Sequence, residues 1–506
     1  MKKILKFTTA IVIFLTFISK ISGFVREQVL AFQYGANEIS DTYLTVLSLP
    51  QYISNIIGGV LLSSFVPIYL SLKEREGSHK ANNFTAKIFS ITLCSLVGLN
   101  ILFLLCANFI GKIYFGDQVT VEQLFLIKMV LPVQLLMVLS LFLTAKFNAN
   151  KLFYEPIIST VIMNILFILI IIFFSRSSET LIAATIGSAV IQLLYLFYKA
   201  KTNEFTIFKI KTENYFTKDV KEFVLMGVPM LIGSIFTQAF NVFDKVLGKG
   251  LPEGSIASLS YALKLTQLPT GIIAMGISTV LLSSLSILAS KGEISRLNRE
   301  VFKSIRVTTI ILLPIIAIML FYSYAITKII FERGAFGSSA TQMTSEAVIA
   351  YTIGILGTSL TMVLSRVFFA TKNTITPVFS NVVSGILNLV LAIVLVKKLD
   401  HVGLALANSI SVSFNFIFLL FIYLIKNKSR LSVNLKYTMT FIFKLLLTMS
   451  VTIGAIYFIK DILNPNTGII NFFINCLFVV LIYLLMVVIT RLEGINYKKY
   501  VFKRRF

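Results

Sequence analysis

The chain has 506 residues, 57% of them hydrophobic and only 13% charged, which excludes an ordinary water-soluble fold and points to a helical membrane protein crossing the bilayer many times. A formal net charge of +24 would suggest nucleic acid in a soluble domain, but here Lys and Arg gather in short connections and leave no basic domain to hold a duplex. The three cysteines, Cys94, Cys106 and Cys476, lie in apolar runs without metal spacing, and the two histidines, His79 and His401, are too few for a zinc or histidine-based centre.

The N-terminus places Lys2, Lys3 and Lys6 before an apolar run, as a secretory signal does. No small-residue cleavage site follows and the run stays apolar to about Ala31, so it reads as an uncleaved first helix. On it Ser19, Ser22 and Arg26 share one face, and Lys20, Gly23 and Glu27 form the adjoining stripe. A charge at bilayer depth costs about 2.5 to 3.5 kcal/mol, so these side chains are expected to face protein or water. Gly35 and Asn37 mark a turn, and the second run carries Asp41 and Pro50 before a charged loop from Lys73 to Lys87.

Further helical runs are expected near 84–111, 122–147, 156–175, 180–198, 219–248, 255–288, 300–330, 343–371, 375–397, 401–425, 436–460 and 468–490. With the first two they make fourteen spans, so both termini fall on one side. Basic clusters such as Lys199 to Lys221, Lys291 to Arg306 and Lys498 to Arg505 place that side in the cytoplasm. Pro50, Pro132, Pro229, Pro269 and Pro314 are expected to break or kink their helices. No connection has room for a soluble catalytic domain, and no Walker-type phosphate loop occurs. No bound cofactor is expected, and any driving force must come from Na+ or another ion gradient, the membrane potential or the substrate's own gradient.

An internal repeat is visible. VLLSS at Val60 to Ser64 recurs at Val280 to Ser284, and Pro156 and Ser159 recur as Pro377 and Ser380 at nearly the same offset. Two similar halves follow, and transporters built so place their site between the repeats. In the second half Asp244, Lys245, Lys264 and Arg366 interrupt apolar runs. Arg26, Lys264 and Arg366 have no acid at i±3 or i±4, so each needs an acid from another helix or an anionic ligand. Arg366 and Lys245 lie near helix ends and read as snorkelling cations, and Asp244 beside Lys245 as one half of an ion pair. Arg26 and Lys264 read as cavity residues. Glu27 and Asp41 either balance that charge or bind a coupling cation.

Three separated segments, SKISGFVREQVLAFQYGA with SDTYLTVLSLPQ, LPEGSIASLSYALKLTQLPTGIIAMGISTVLLSSLS, and FERGAF with SRVFFATKNTITPV, resemble the MurJ (MviN) lipid II flippases of the multidrug/oligosaccharidyl-lipid/polysaccharide exporter superfamily. The resemblance covers roughly residues 15 to 410. It implies an all-α membrane protein with two six-helix lobes in a V around a cationic central cavity, and two C-terminal helices that groove a polyprenyl tail. The matching divisions are residues 1–200, a cytoplasmic linker 201–218, residues 219–426, and 427–506 with a basic tail. The resemblance also places Arg26 and Glu27 on the family's cavity pair, Lys20 and Lys264 where arginines are usual, Asp41 on the acid of the second helix, and Asp244 on a seventh-helix acid associated with cation binding.

The implied activity is movement of lipid II, a polyprenyl-diphosphate-linked glycan, across a bacterial cytoplasmic membrane, without enzymatic chemistry and with membrane lipids and cell-wall synthesis proteins as partners. Ser48, Ser54 and Asn55 stand where the family carries a lysine and an arginine pair, and Lys cannot offer the bidentate fork of Arg. These departures motivate a second cargo, another polyprenyl-diphosphate glycan such as a capsule, teichoic acid or exopolysaccharide unit. A cation-coupled multidrug exporter is disfavoured by the excess of buried cations, and a membrane glycosyltransferase by the lack of an acidic metal-binding motif on any sizeable loop.

Overall fold

A backbone in hydrocarbon has no water to bond, so each apolar run must satisfy its own N–H and C=O groups, which a helix does within a single segment. A computed structural model describes residues 2–117, 119–174, 176–205, 217–371, 373–427, 435–466 and 468–492, and their only regular secondary structure is helical. The linker cations Lys209 and Lys211, the connection cations Lys428 and Arg430, and the basic tail from Lys498 to Arg505 lie outside the described residues.

Helix α1 (Lys2–Tyr34) runs unbroken to the expected turn, where Gly35 takes φ +68° and Asn37 caps α2 (Glu38–Val60) by accepting the Ser40 N–H at 3.1 Å. A π-helical turn (Leu61–Phe65) leads into α3 (Val66–Leu105). The segment from Lys73 to Lys87, expected as a loop, is instead helical on both sides of one break at Gly77, whose φ of +82° suits a residue without a Cβ.

Next come α4 (Ala107–Phe115), α5 (Val121–Val130), α6 (Val133–Ala149), α7 (Tyr154–Phe173), α8 (Ser178–Thr202) and α9 (Lys218–Leu247). Then follow α10 (Ser255–Pro269), a second π turn (Thr270–Ala274), α11 (Met275–Ser290), α12 (Ile294–Phe321), α13 (Ser323–Phe331), α14 (Ser338–Ala370), α15 (Ile375–Lys426), α16 (Leu435–Ile462) and α17 (Ile469–Thr490). Pro132 separates α5 from α6 and Pro269 ends α10, whereas α2, α9 and α12 continue past Pro50, Pro229 and Pro314. Helix α15 joins two expected spans at Asp400, which has φ +47°.

Ten described helices are long and apolar enough to cross a membrane. Large apolar side chains cover their outer faces, with Leu105 77%, Phe173 78% and Phe443 69% exposed. Water would penalise such a surface and acyl chains do not. The chain is a multi-pass membrane protein.

The helices form two compact units, Met1–Ala257 with Arg333–Gly337, and Ser258–Glu332 with Ser338–Phe506. The first is built on an aromatic core in which Phe65 stacks on Phe84 at 5.7 Å and meets Phe142 at 5.0 Å. In the second, α14 and α15 approach closely because a Cβ on Gly354 would sit 2.8 Å from the Ser409 Cα and one on Gly357 2.6 Å from the Ser413 Cα. Leu285, Val301, Val363, Leu364 and Leu419 fill the adjoining core.

The repeat is carried by bonds as well as by sequence. In the first unit Gln192 donates to Ser159 (3.4 Å) and Lys199 pairs with Glu155 (3.2 Å). In the second, Ser380 bonds to Asn415 and Lys426 donates to Thr376 (3.1 Å), and the paired positions (159 with 380, 155 with 376) keep the spacing that relates Pro156 to Pro377. Pro269 is one residue farther from Val280 than Pro50 is from Val60, and the second copy has a π turn directly after that proline, where one extra residue fits per turn.

Candidate functional site

The polar stripe of α1 packs against α7. Asn164 donates to the Ser22 hydroxyl at 2.9 Å, Ser22 donates to the Ser19 carbonyl at 2.9 Å, and the Arg26 guanidinium lies 5.3 Å from the centre of the Phe167 ring. Arg26 Nη2 donates to Glu27 Oε1 at 2.9 Å, which corrects the expectation that Arg26 has no acid on its own helix. The partner is the next residue in the chain, a position outside the i±3 and i±4 neighbours. Nearby, the Tyr43 and Thr185 hydroxyls join α2 to α8 at 2.9 Å.

Asp41 does a different job from its neighbours. Its Oδ2 accepts the Gly254 N–H at 2.8 Å and its Oδ1 the Ala257 N–H at 2.6 Å, so both oxygens hold the turn that starts α10. These N–H groups belong to a helix N-terminus, where a carboxylate is favoured by unpaired donors and by the helix dipole. Gly254 has φ +82°, and a Cβ on it would collide with the Ala36 carbonyl oxygen. Asp41 thereby fixes a turn in which no other residue fits easily.

Asp244 is half-buried near the end of α9, one turn beyond Asn241, whose carbonyl accepts the Tyr52 hydroxyl at 3.1 Å. Lys20 is exposed on α1. Lys264 is half-buried on α10 and belongs to the second unit, whereas Lys20, Arg26, Glu27, Asp41 and Asp244 belong to the first. Among the described residues no group of three or more His, Cys, Asp and Glu is placed to hold a metal ion. Arg366, read as a snorkelling cation, donates through Nε to the Ser278 hydroxyl at 2.6 Å.

Two buried charges escaped the sequence reading. Lys146 on α6 is completely buried, donates to Asn82 Oδ1 (2.7 Å) and Thr85 Oγ1 (3.1 Å), and sits 3.8 Å from the centre of the Tyr69 ring. Glu155 is 3% exposed and is held by Lys199 and by the Tyr195 hydroxyl at 2.6 Å. Both lie at helix ends, where a charge in sequence looks like a solvated loop residue.

The chain matches a family model described as Lipid II flippase MurJ over residues 30–478. A probable lipid II flippase MurJ of Rickettsia prowazekii is 29% identical over 412 residues, covering 79% of this chain and 80% of that protein. The lipid II flippase MurJ of Thermosipho africanus is 29% identical over 403 residues, covering 78% and 81%. A solved structure of lipid II flippase MurJ in an inward closed conformation superposes with a TM-score of 0.79 at 24% identity, over 95% of this chain and 99% of that one. An inward-facing multidrug resistance MATE transporter of the MOP superfamily superposes at 0.68 and 13% identity, over 81% and 96%. These two likenesses concern the fold.

Proposed function

This chain belongs to the lipid II flippase MurJ family, and from that premise we propose that it carries lipid II from the inner to the outer leaflet of the bacterial cytoplasmic membrane by alternating access. The observation that carries this is the Arg26–Glu27 pair on α1, a half-buried guanidinium kept in place by a buried carboxylate. A diphosphate cannot cross hydrocarbon unless charge-assisted bonds replace its hydration. Arg26 has five N–H donors in a fork that matches phosphate oxygens, and an arriving diphosphate competes with Glu27 for them.

Lys20 and Lys264 are taken as further cargo-binding cations, with Glu27 and Asp41 balancing the charge and Asp244 as a candidate cation position. Residues 1–200 and 219–426 are taken as the two repeated lobes, linked by 201–218, with 427–506 added to them. Counting each of the two bent helices as two crossings and adding α1 and the α10–α11 segment gives fourteen crossings. An even number leaves both termini on one side, which the basic connections would place in the cytoplasm. With the inside negative, outward movement of an anion gains about 2.3 kcal/mol per charge for each 100 mV. The enzymes that make and consume lipid II on either face are the expected functional partners.

The test is growth. Expressing the chain in a bacterium depleted of its own lipid II flippase should restore division. Failure despite normal membrane levels would shift the cargo to another polyprenyl-diphosphate glycan. The bonding at α2 favours that second reading in one respect: Ser54 donates to the Pro50 carbonyl at 2.7 Å and Asn55 is exposed, at positions where the resemblance would place cations.

A further inference from the structure

Two lysines meet at one end of the first unit, Lys73 on α3 and Lys146 on α6, with Tyr69 and Asn150 between them. Lys73 Nζ donates to Asn150 Oδ1 at 2.7 Å, and the same oxygen accepts the Tyr69 hydroxyl at 3.3 Å. The Tyr69 ring lies 3.8 Å from Lys146 Nζ. Asn150 Nδ2 donates to the Lys146 carbonyl at 2.9 Å, so the amide is committed at both ends.

The bonding of Lys146 requires it to be charged. Its partners all accept: Asn82 Oδ1, the Tyr69 ring face, and the Thr85 hydroxyl, whose own proton goes to the Ala81 carbonyl at 2.8 Å. A neutral amine would carry a lone pair seeking a donor, and none of these supplies one, whereas an ammonium has three N–H groups and no lone pair. Among the described residues neither Lys73 nor Lys146 is paired with a carboxylate, since Glu76 is tied to Lys80 and Glu74 is exposed. Lys146 is 0% exposed, so its charge is uncompensated and acts from a medium that screens it weakly. Lys73 is half-buried and has spent one of its three donors on Asn150.

We propose that Lys73 binds the phosphate of a lipid headgroup, and that the sealed charge of Lys146 holds this anion through space without touching it. Phosphate offers only acceptors to the two remaining Lys73 donors, and lysine serves such a group as a point charge. Leu70, one turn away on the same ridge of α3, is 36% exposed, which gives the chains of a lipid an apolar surface beside the cation and gives a free anion nothing. Both helix ends lie in connections that the charge bias would place in the cytoplasm, where basic sites between membrane helices take phosphate headgroups. Two sources share this chemistry: an acidic phospholipid, and the diphosphate of the transported precursor, the latter resting on the function proposed above.

The full chain in dodecyl maltoside is titrated with dihexanoyl phosphatidylglycerol, with dihexanoyl phosphatidylcholine as its zwitterionic counterpart, and the thermal unfolding midpoint is read. Phosphatidylglycerol is expected to raise the midpoint saturably, with an apparent affinity about tenfold weaker in Lys73→Gln and weaker also in Lys146→Met. Asn150→Asp, which sets a carboxylate against Lys73, should abolish the response. Lys73 and Asn150 are half-buried at helix ends, so their variants decide the matter should Lys146→Met fail to fold. An equal response to phosphatidylcholine or to inorganic phosphate, or native affinity in any of the three variants, overturns the assignment. Farnesyl diphosphate separates the sources: action at concentrations about tenfold lower, with the same loss in Lys73→Gln, assigns the site to the cargo, and weaker action assigns it to a phospholipid. Transport is not part of this measurement, so its failure leaves the growth test standing.

Discussion

Arg26 and Glu27 are consecutive residues on α1, yet they form an ion pair of 2.9 Å in which the carboxylate is the more buried partner, 7% exposed against 26%. Side chains one residue apart on a helix diverge by about 100°, so this pair exists because the long guanidinium folds back onto a fixed carboxylate. Replacing Arg26 by Ala takes its ion-pair partner from the buried Glu27 carboxylate, and breaking a buried pair on one side costs about 3–5 kcal/mol. Arg26→Ala should therefore lose both thermal stability in detergent and growth support. Adding Glu27→Gln should return the stability and leave transport absent. Full growth of that double variant would make Arg26 a structural residue.

Asp41 should behave as a cap. Removing a carboxylate that accepts two N–H bonds costs about 1.5–3 kcal/mol for each charged bond, so Asp41→Ala is expected to lower the unfolding midpoint strongly. Asp41→Asn keeps one oxygen and should lose about half as much. Gly254→Ala, forced into a left-handed backbone against the Ala36 carbonyl, should match the alanine variant in stability while keeping every charge. Thermal aggregation of purified protein ranks the three. A neutral Gly254→Ala would show that the turn is not fixed in this way.

Lys146 and Tyr69 provide a third test. The ammonium lies over the ring in a dry site, where such a contact is worth about 2 kcal/mol. Tyr69→Phe keeps the ring and loses only the hydroxyl bond to Asn150, about 0.5–1.5 kcal/mol. Tyr69→Leu should cost clearly more in the native background than in a Lys146→Met background, where no charge remains to be stranded. A double-mutant cycle measures that difference directly. Coupling near zero would mean that Asn82, Thr85 and the Phe205 ring hold the ammonium without Tyr69.

The spans could be read in the sequence because hydrocarbon imposes a single demand on every segment, and runs of Leu, Ile, Val and Phe answer it wherever they occur. The repeat was legible for a related reason: Pro156 and Pro377 each start a helix, and a proline's missing N–H is tolerated there in both halves. What could not be read was partnership. Nothing along the chain tells that Asp41 meets backbone groups more than two hundred residues away, and those bonds are backbone donors that carry no side-chain signature. The Arg26–Glu27 bond is hidden differently, because adjacent residues point apart on a helix and only i±3 and i±4 neighbours share a ridge. Lys146 was invisible because a lysine near a helix end reads as solvated, and only packing shows Tyr69, Asn82 and Thr85 closing around it.

The two halves have equivalent helix ends with unequal chemistry, and this asymmetry should be measurable. Lys199 pairs with Glu155, a carboxylate 4% exposed, while Lys426 in the second half donates, among the described residues, to the Thr376 hydroxyl at 3.1 Å. Lys199→Ala strands a buried charge whose remaining partner is the Tyr195 hydroxyl, so the loss should approach the 3 kcal/mol end of about 3–5 kcal/mol, since Lys199 itself is partly solvated. Lys426→Ala strands a neutral hydroxyl and should cost about 0.5–1.5 kcal/mol. Installing the acid at the second position, Thr376→Glu, should convert the weaker end into the stronger one and make a following Lys426→Ala as harmful as Lys199→Ala. Equal midpoints for the two alanine variants of the native chain would mean that Glu155 draws its compensation from groups other than Lys199.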